Sequence, residues 1–135
     1  MDRWPTSRLL SAAARLVELA WNEKLRPLGL TYPAVLTLDT VATAGPITPG
    51  KLAQSVRVQA QTMGALLARL ESRGYILRQP NRFDRGSQLV SITDPGMALL
   101  EQSHLQENLV LSAIKLDSGD LRDELLAIVR HTPFV

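Results

Sequence analysis

Between Lys51 and Arg85 the chain places seven cationic side chains, Lys51, Arg57, Arg69, Arg73, Arg78, Arg82 and Arg85, against two carboxylates, Glu71 and Asp84. This local net of +5 sits in a chain of net charge +2, so the remaining residues, with eight basic and eleven acidic side chains, are acidic on balance. A polyanion suits such a distribution, because each Lys or Arg that neutralises a phosphate releases a condensed counterion. A solvated charged loop would carry the same charges, so the elements that hold them must decide. Enzyme chemistry finds little support. No cysteine is present, which removes thiolate nucleophiles, disulfides and Cys-ligated zinc. There is no Gly-rich phosphate loop ending in Lys-Ser/Thr, no G-x-S-x-G elbow and no His-Glu-x-x-His. Glu101, His104 and Glu107 share one helical side, but a single such cluster is expected to be a solvated face, and neither His104 nor His131 has an evident acid partner. The expectation is a protein that is not an enzyme and uses no metal or cofactor.

The charged stretch has its own architecture. Thr48 followed by Pro49 is a cap and first-turn signal for a short helix through Leu52, Ala53 and Gln54. After a turn over residues 55–58, a longer helix over about 59–73 buries Met63, Leu66, Leu67 and Leu70 at helical spacing. Its opposite face carries Gln61, Ala65, Ala68 and Ser72, flanked by Thr62, Gly64 and Arg69. Small side chains let a helix approach the floor of a major groove about 12 Å wide, where Gln61 and Thr62 can bond base edges. The helix N-terminus, with its free N–H groups, suits a phosphate. Gly74 is placed to end this helix, and residues 75–79 and 88–93 form two strands joined by a polar loop over 80–87. Arg82 and Arg85 at that tip suit the narrow minor groove, and Asp84 can hold a neighbouring guanidinium in a bidentate pair. Helix, turn, helix and basic ribbon make a winged helix-turn-helix.

At 135 residues the chain is expected to form one domain over 1–135, and with aromatics at 4% its core must be Leu, Val, Ala and Ile. Thr6 or Ser7 can cap a first helix running to about Leu25, with Leu9, Leu10, Ala13, Leu16, Val17, Ala20 and Trp21 apolar; Pro27 and Gly29 stop it. Thr31 caps a second, carrying Val35, Leu36, Leu38, Val41 and Ala42 up to Gly45-Pro46. Apolar residues surround much of both helices, more than a helix wetted on one side needs, which suggests a subunit interface. Thr93 can cap a helix starting at Asp94-Pro95, where Gly96 allows close packing and Met97, Leu100, Leu105, Leu109, Ala113 and Leu116 mark the apolar side. Asp117 with Asp120 resembles a weak capping box for a last helix with Leu121, Leu125, Ile128 and Val129. No apolar run approaches 18 residues and no signal-like start is present, so a cytoplasmic protein without a membrane partner is expected. Trp21 and Tyr32 could wall an apolar effector pocket, or serve instead as dimer core.

The runs Leu28-Gly29-Leu30-Thr31, Gly45-Pro46-Ile47-Thr48-Pro49-Gly50-Lys51-Leu52-Ala53, Leu66-Leu67-Ala68-Arg69-Leu70-Glu71-Ser72-Arg73-Gly74-Tyr75-Ile76, and Asp84-Arg85 before Leu89-Val90-Ser91-Ile92-Thr93 resemble the MarR family of bacterial transcription regulators. The resemblance implies a mainly α fold with a small β-wing, a winged helix-turn-helix over 31–93 flanked by N- and C-terminal dimerisation helices, 6–30 and 94–135. It also implies an obligate homodimer reading a palindromic operator in double-stranded DNA, a repressor in many members, released by small aromatic effectors bound between the two regions. Lys51, Arg57, Arg69, Arg82 and Arg85 then become phosphate and wing contacts, with Asp84 beside them, while Gln59, Gln61, Thr62 and Ala65 face the bases. Departures fall on the same surface. Gly86 stands where the family places an Arg after the wing Asp, leaving minor-groove insertion to Arg85 or Arg82. Gly64 and Ala65 replace a frequent Thr and Arg, and Gln59 replaces the usual capping Ser. Two alternatives are a winged-helix module that binds an acidic protein and a nonspecific DNA-binding protein without an effector.

Overall fold

A computed structural model describes residues 2–114 and 119–132, the side chains of 111–114 excepted. The described chain runs α1 (Thr6–Leu25), a 3-10 turn (Arg26–Leu28), α2 (Tyr32–Ala44), α3 (Pro49–Val56), α4 (Ala60–Ser72), β1 (Ile76–Pro80), β2 (Gln88–Ile92), α5 (Asp94–Ile114) and α6 (Gly119–His131). The mainly α fold with a two-stranded wing is therefore as expected. The expected apolar position Leu116 and the cap at Asp117 lie outside the described residues, and the side chain of Ala113, within α5, is not described.

Neither Thr6 nor Ser7 caps α1. Pro5 does, with no side-chain bond: its carbonyl accepts from Arg8 N at 3.0 Å and Leu9 N at 3.1 Å, and its ring fixes φ at −58°. The other caps follow the sequence. Thr31 Oγ1 accepts from Ala34 N and Thr48 Oγ1 from Lys51 N, each satisfying one orphan donor of the first turn. Gly74, at φ +82°, closes α4 in a Schellman motif, with Tyr75 N donating to Leu70 O and Gly74 N to Glu71 O.

α2 lies at the centre of the molecule and packs against α1, α3, α5 and β2. Its Val35, Leu38 and Val41 meet Leu52, Met63, Leu67, Ile76 and Val90 in a largely aliphatic core, in keeping with the scarcity of aromatics. The strands pair antiparallel, Ile76 opposite Ile92 through Pro80 opposite Gln88. Val90 also pairs on its other edge with Ile47, by Ile47 N to Val90 O at 3.1 Å and Val90 N to Ile47 O at 2.8 Å. The wing root is thus held from both sides. Thr93 fixes the exit: its N–H donates to Tyr75 O, its hydroxyl donates to Gly74 O at 2.6 Å, and that same oxygen accepts from Gly96 N in the first turn of α5.

Large apolar side chains remain exposed on three helices: Leu9, Leu10, Leu16 and Leu19 on α1, Met97, Leu105 and Leu109 on α5, and Leu125, Ile128 and Val129 on α6. Leu16 is 66% and Leu105 65% exposed, far more than a leucine in a closed core.

Candidate nucleic-acid interface

α4 presents two unlike sides. Met63, Leu67 and Leu70 are buried and Leu66 packs against the core, whereas Gln61, Thr62, Gly64, Ala65, Ala68, Arg69 and Ser72 are exposed. Gln59 forms the N-cap without a side-chain bond. The first turn of α4 is therefore left with open N–H donors beside Gln61 and Thr62. Between α3 and α4 the chain turns through Arg57 in the left-handed region, φ +63°, with Val58 N donating to Ala53 O. A β-carbon there is strained, and the turn survives because the packing on either side fixes it. Arg57 does not simply face solvent: Nη2 donates to Val129 O of α6 at 3.4 Å.

The arginines divide by partner. Arg78, on β1, forks onto Glu71 Oε1 at the end of α4, by Nε at 3.2 Å and Nη2 at 2.8 Å. That pairing holds the Glu71 carboxyl below the usual carboxylate range and the guanidinium above its own, although both groups are partly wet, so the pair positions the wing more than it stabilises the fold. Arg73 Nη1 donates to Gly29 O at 2.7 Å and ties α4 to the α1–α2 connection. Lys51, Arg69, Arg82 and Arg85 are exposed on the α3, α4 and wing surfaces. Asp84 differs from expectation: among the described residues no ion pair joins it to Arg82 or Arg85, and its carbonyl instead accepts from Ser87 N and Ser87 Oγ. The tip is ordered by such bonds within the loop, including Asn81 N to Ser87 O and Phe83 N to the side-chain Oδ1 of Asn81 at 3.0 Å. Phe83 itself is 95% exposed. The sequence reading did not single it out, though an aromatic between two arginines in a hairpin tip was a usable signal.

A cavity of about 470 Å³ opens between the start of α2 and α4. Leu30, Pro33, Ala34 and Leu66 give it an apolar floor, and Gln61, Thr62, Ala65, Arg69 and Arg73 form its other side. Trp21 and Tyr32 lie elsewhere, packed on each other with centroids 4.8 Å apart and planes at 54°. Trp21 is buried, and its Nε1 has no hydrogen-bond partner among the described residues. Burial pushes the Tyr32 phenol up, aided by the Glu107 and Glu18 carboxylates. His104 does have an acid partner, contrary to the sequence reading: Nε2 lies 3.5 Å from Asp39 Oδ1 of α2. Glu107 on the same α5 side is half-buried and its carboxyl is raised, first by that burial.

A short helix, a tight turn, a helix with a small-residue outer face and a cationic ribbon define a winged helix-turn-helix protein. Residues 30–85 match the sequence model of the MarR family. The multiple antibiotic resistance protein MarR of Salmonella typhimurium is 33% identical over 100 residues, covering 74% of this chain and 69% of that protein. An HTH-type transcriptional regulator of Mycobacterium leprae is 34% identical over 122 residues, 88% of this chain and 83% of that one. A crystal structure of a mutant E. coli MarR complexed with operator DNA superposes with a TM-score of 0.81 at 28% identity, over 98% of this chain and 96% of that one. The chain belongs to the MarR family; it is a DNA-binding transcription regulator and not an enzyme. No helix among the described residues is long and apolar enough to cross a membrane.

Proposed function

We propose that the chain is a homodimeric repressor in which each subunit reads half of an inverted-repeat operator in double-stranded DNA. The observation that carries this reading is the exposed small-residue face of α4, flanked by Lys51, Arg69, Arg82 and Arg85 and free of apolar bulk. Gln59, Gln61, Thr62 and Ala65 face the bases, and the cations, with Arg57 at the turn, follow the phosphates. The leucines left open on α1, α5 and α6 support the dimer, since a second copy can bury them where this chain does not. A protein seated on a promoter excludes polymerase, hence repression. An effector fits the cavity between α2 and α4. Its volume lies within the usual range for small ligands, its floor is apolar, and Arg69 and Arg73 suit the carboxylate of an aromatic acid. Gln61, Thr62, Ala65 and Arg69 would serve both ligand and operator, so each weakens the other by the same factor. Trp21 and Tyr32 are a second ligand position, favoured by the unpartnered Trp21 Nε1.

Selection of bound duplexes from a random pool at near-physiological salt tests the reading. An inverted repeat with half-sites about one helical turn apart is expected. Recovery of no motif, with weak salt-sensitive binding alone, would leave a nonspecific DNA binder; no duplex binding at all would leave a protein-interaction module.

A further inference from the structure

We infer that Phe83 is an apolar DNA contact, entering the minor groove at the tip of the wing between Arg82 and Arg85. The inference rests on the DNA-binding reading and goes beyond its electrostatic and hydrogen-bonding terms. Phe83 is 95% exposed, the most exposed large apolar side chain among the described residues. Its neighbours in sequence, Arg82, Asp84, Arg85 and Gly86, are all exposed and none carries an apolar side chain. A lone ring between two guanidiniums does not suit a protein interface, which needs a contiguous apolar centre. It suits a surface that is anionic at its edges and apolar within.

The minor groove is such a surface. Phosphates line its rims, sugar C–H groups form its walls, and proteins that enter it insert phenylalanine, leucine or proline beside the base steps. The loop holds the ring outward rather than letting it fold back. Asn81 Oδ1 accepts from Phe83 N at 3.0 Å, Asp84 N donates to Asn81 O, and Asn81 N donates to Ser87 O across the base of the loop. Pro80 opposite Gln88 is the last pair of the ladder, so the ring stands beyond the end of the sheet. Gly86 contributes no side chain, so the exposed side chains of residues 82–86 are one ring, two arginines and the Asp84 carboxylate.

The experiment is a salt series of duplex affinity for the full chain, comparing wild type, Phe83→Ala, Phe83→Trp and Arg85→Ala on one DNA. Half-burying a phenylalanine supplies enough apolar contact that Phe83→Ala should weaken binding about tenfold at every salt concentration. The slope of log K against log salt should stay unchanged, because no counterion is involved. Arg85→Ala should instead flatten the slope by about two units, one for each subunit of the proposed dimer. Phe83→Trp should keep the affinity and show emission quenching on DNA beyond that of wild type. If Phe83→Ala binds within about twofold of wild type while Arg85→Ala loses affinity, the DNA reading stands and this inference fails. A loss at Phe83→Ala accompanied by a flattened slope also overturns it. A wild-type protein that binds no duplex overturns both.

Discussion

Gly96→Ala should be more damaging than the same change at any other glycine in ordinary backbone geometry. A β-carbon at this position would overlap Tyr75 O, stand 2.8 Å from Ile92 Cγ1 and 3.1 Å from Tyr75 C. Carbon atoms settle at about 3.5 Å or more, so the start of α5 must retreat from the wing by on the order of 1 Å. That retreat stretches the bonds Thr93 makes to Tyr75 O and Gly74 O, because the same hydroxyl also holds Gly96 N. Overpacking costs about 1–3 kcal/mol, and one weakened hydrogen bond adds about 1 kcal/mol. Against these stands the better helix propensity of alanine, at most about 1 kcal/mol. The obstruction is backbone and cannot swing aside, so the net is a loss of about 2–3 kcal/mol. Urea unfolding at one fixed protein concentration measures it, the fixed concentration being needed because a dimer's stability varies with mass action. Gly64→Ala is the control: its β-carbon meets nothing within 4 Å, so the same methyl on the exposed face of α4 should stabilise by about 0.5–1 kcal/mol. A loss at Gly96→Ala below about 0.5 kcal/mol, or a gain matching that at 64, would refute the packing argument.

Two further outcomes follow from exposure and burial. Leu16→Glu combined with Leu105→Glu, at positions 66% and 65% exposed in the single chain, should leave the fold intact and halve the mass seen by sedimentation; an unchanged mass would take these positions out of the interface. Burial raises the Glu107 carboxyl, Asp39 raises it further and His104 opposes both. Between the ordinary carboxylate range and that raised value, the folded state holds a proton that the unfolded chain has released. Stability therefore falls as pH rises through this window. Glu107→Gln should abolish that fall and be the more stable protein at neutral pH, and parallel stability curves for the two proteins would contradict it.

The parts legible in the sequence were those set by neighbours along the chain. Thr31, Thr48 and Gly74 announce helix ends because a hydroxyl or a missing β-carbon satisfies orphan groups within one turn. The two faces of α4 follow from spacing alone. Pro5 was missed because its contribution is a carbonyl and a fixed φ, which look like any proline. Pairings that cross the fold were out of reach: Arg73 with Gly29, Arg78 with Glu71, and His104 with Asp39 all depend on which helices pack together. Asp84 was given an arginine by proximity, but the closure of the loop turns its main chain, rather than its carboxylate, to use. The cavity is invisible for a related reason, since its two walls come from separate segments.

The double pairing of Val90 gives the wing a gradient of stiffness. Its root exchanges both backbone groups with Ile47 and is sealed in the core, while everything past Pro80 and Gln88 rests on bonds internal to the loop. A ribbon held this way is expected to yield at its tip before its root, like a reed clamped at one end. α4 has no such freedom, being seated on the same core by Met63, Leu67 and Leu70. Under the proposed reading, tolerance of operator shape would lie in the wing tip and strictness of operator register in α4.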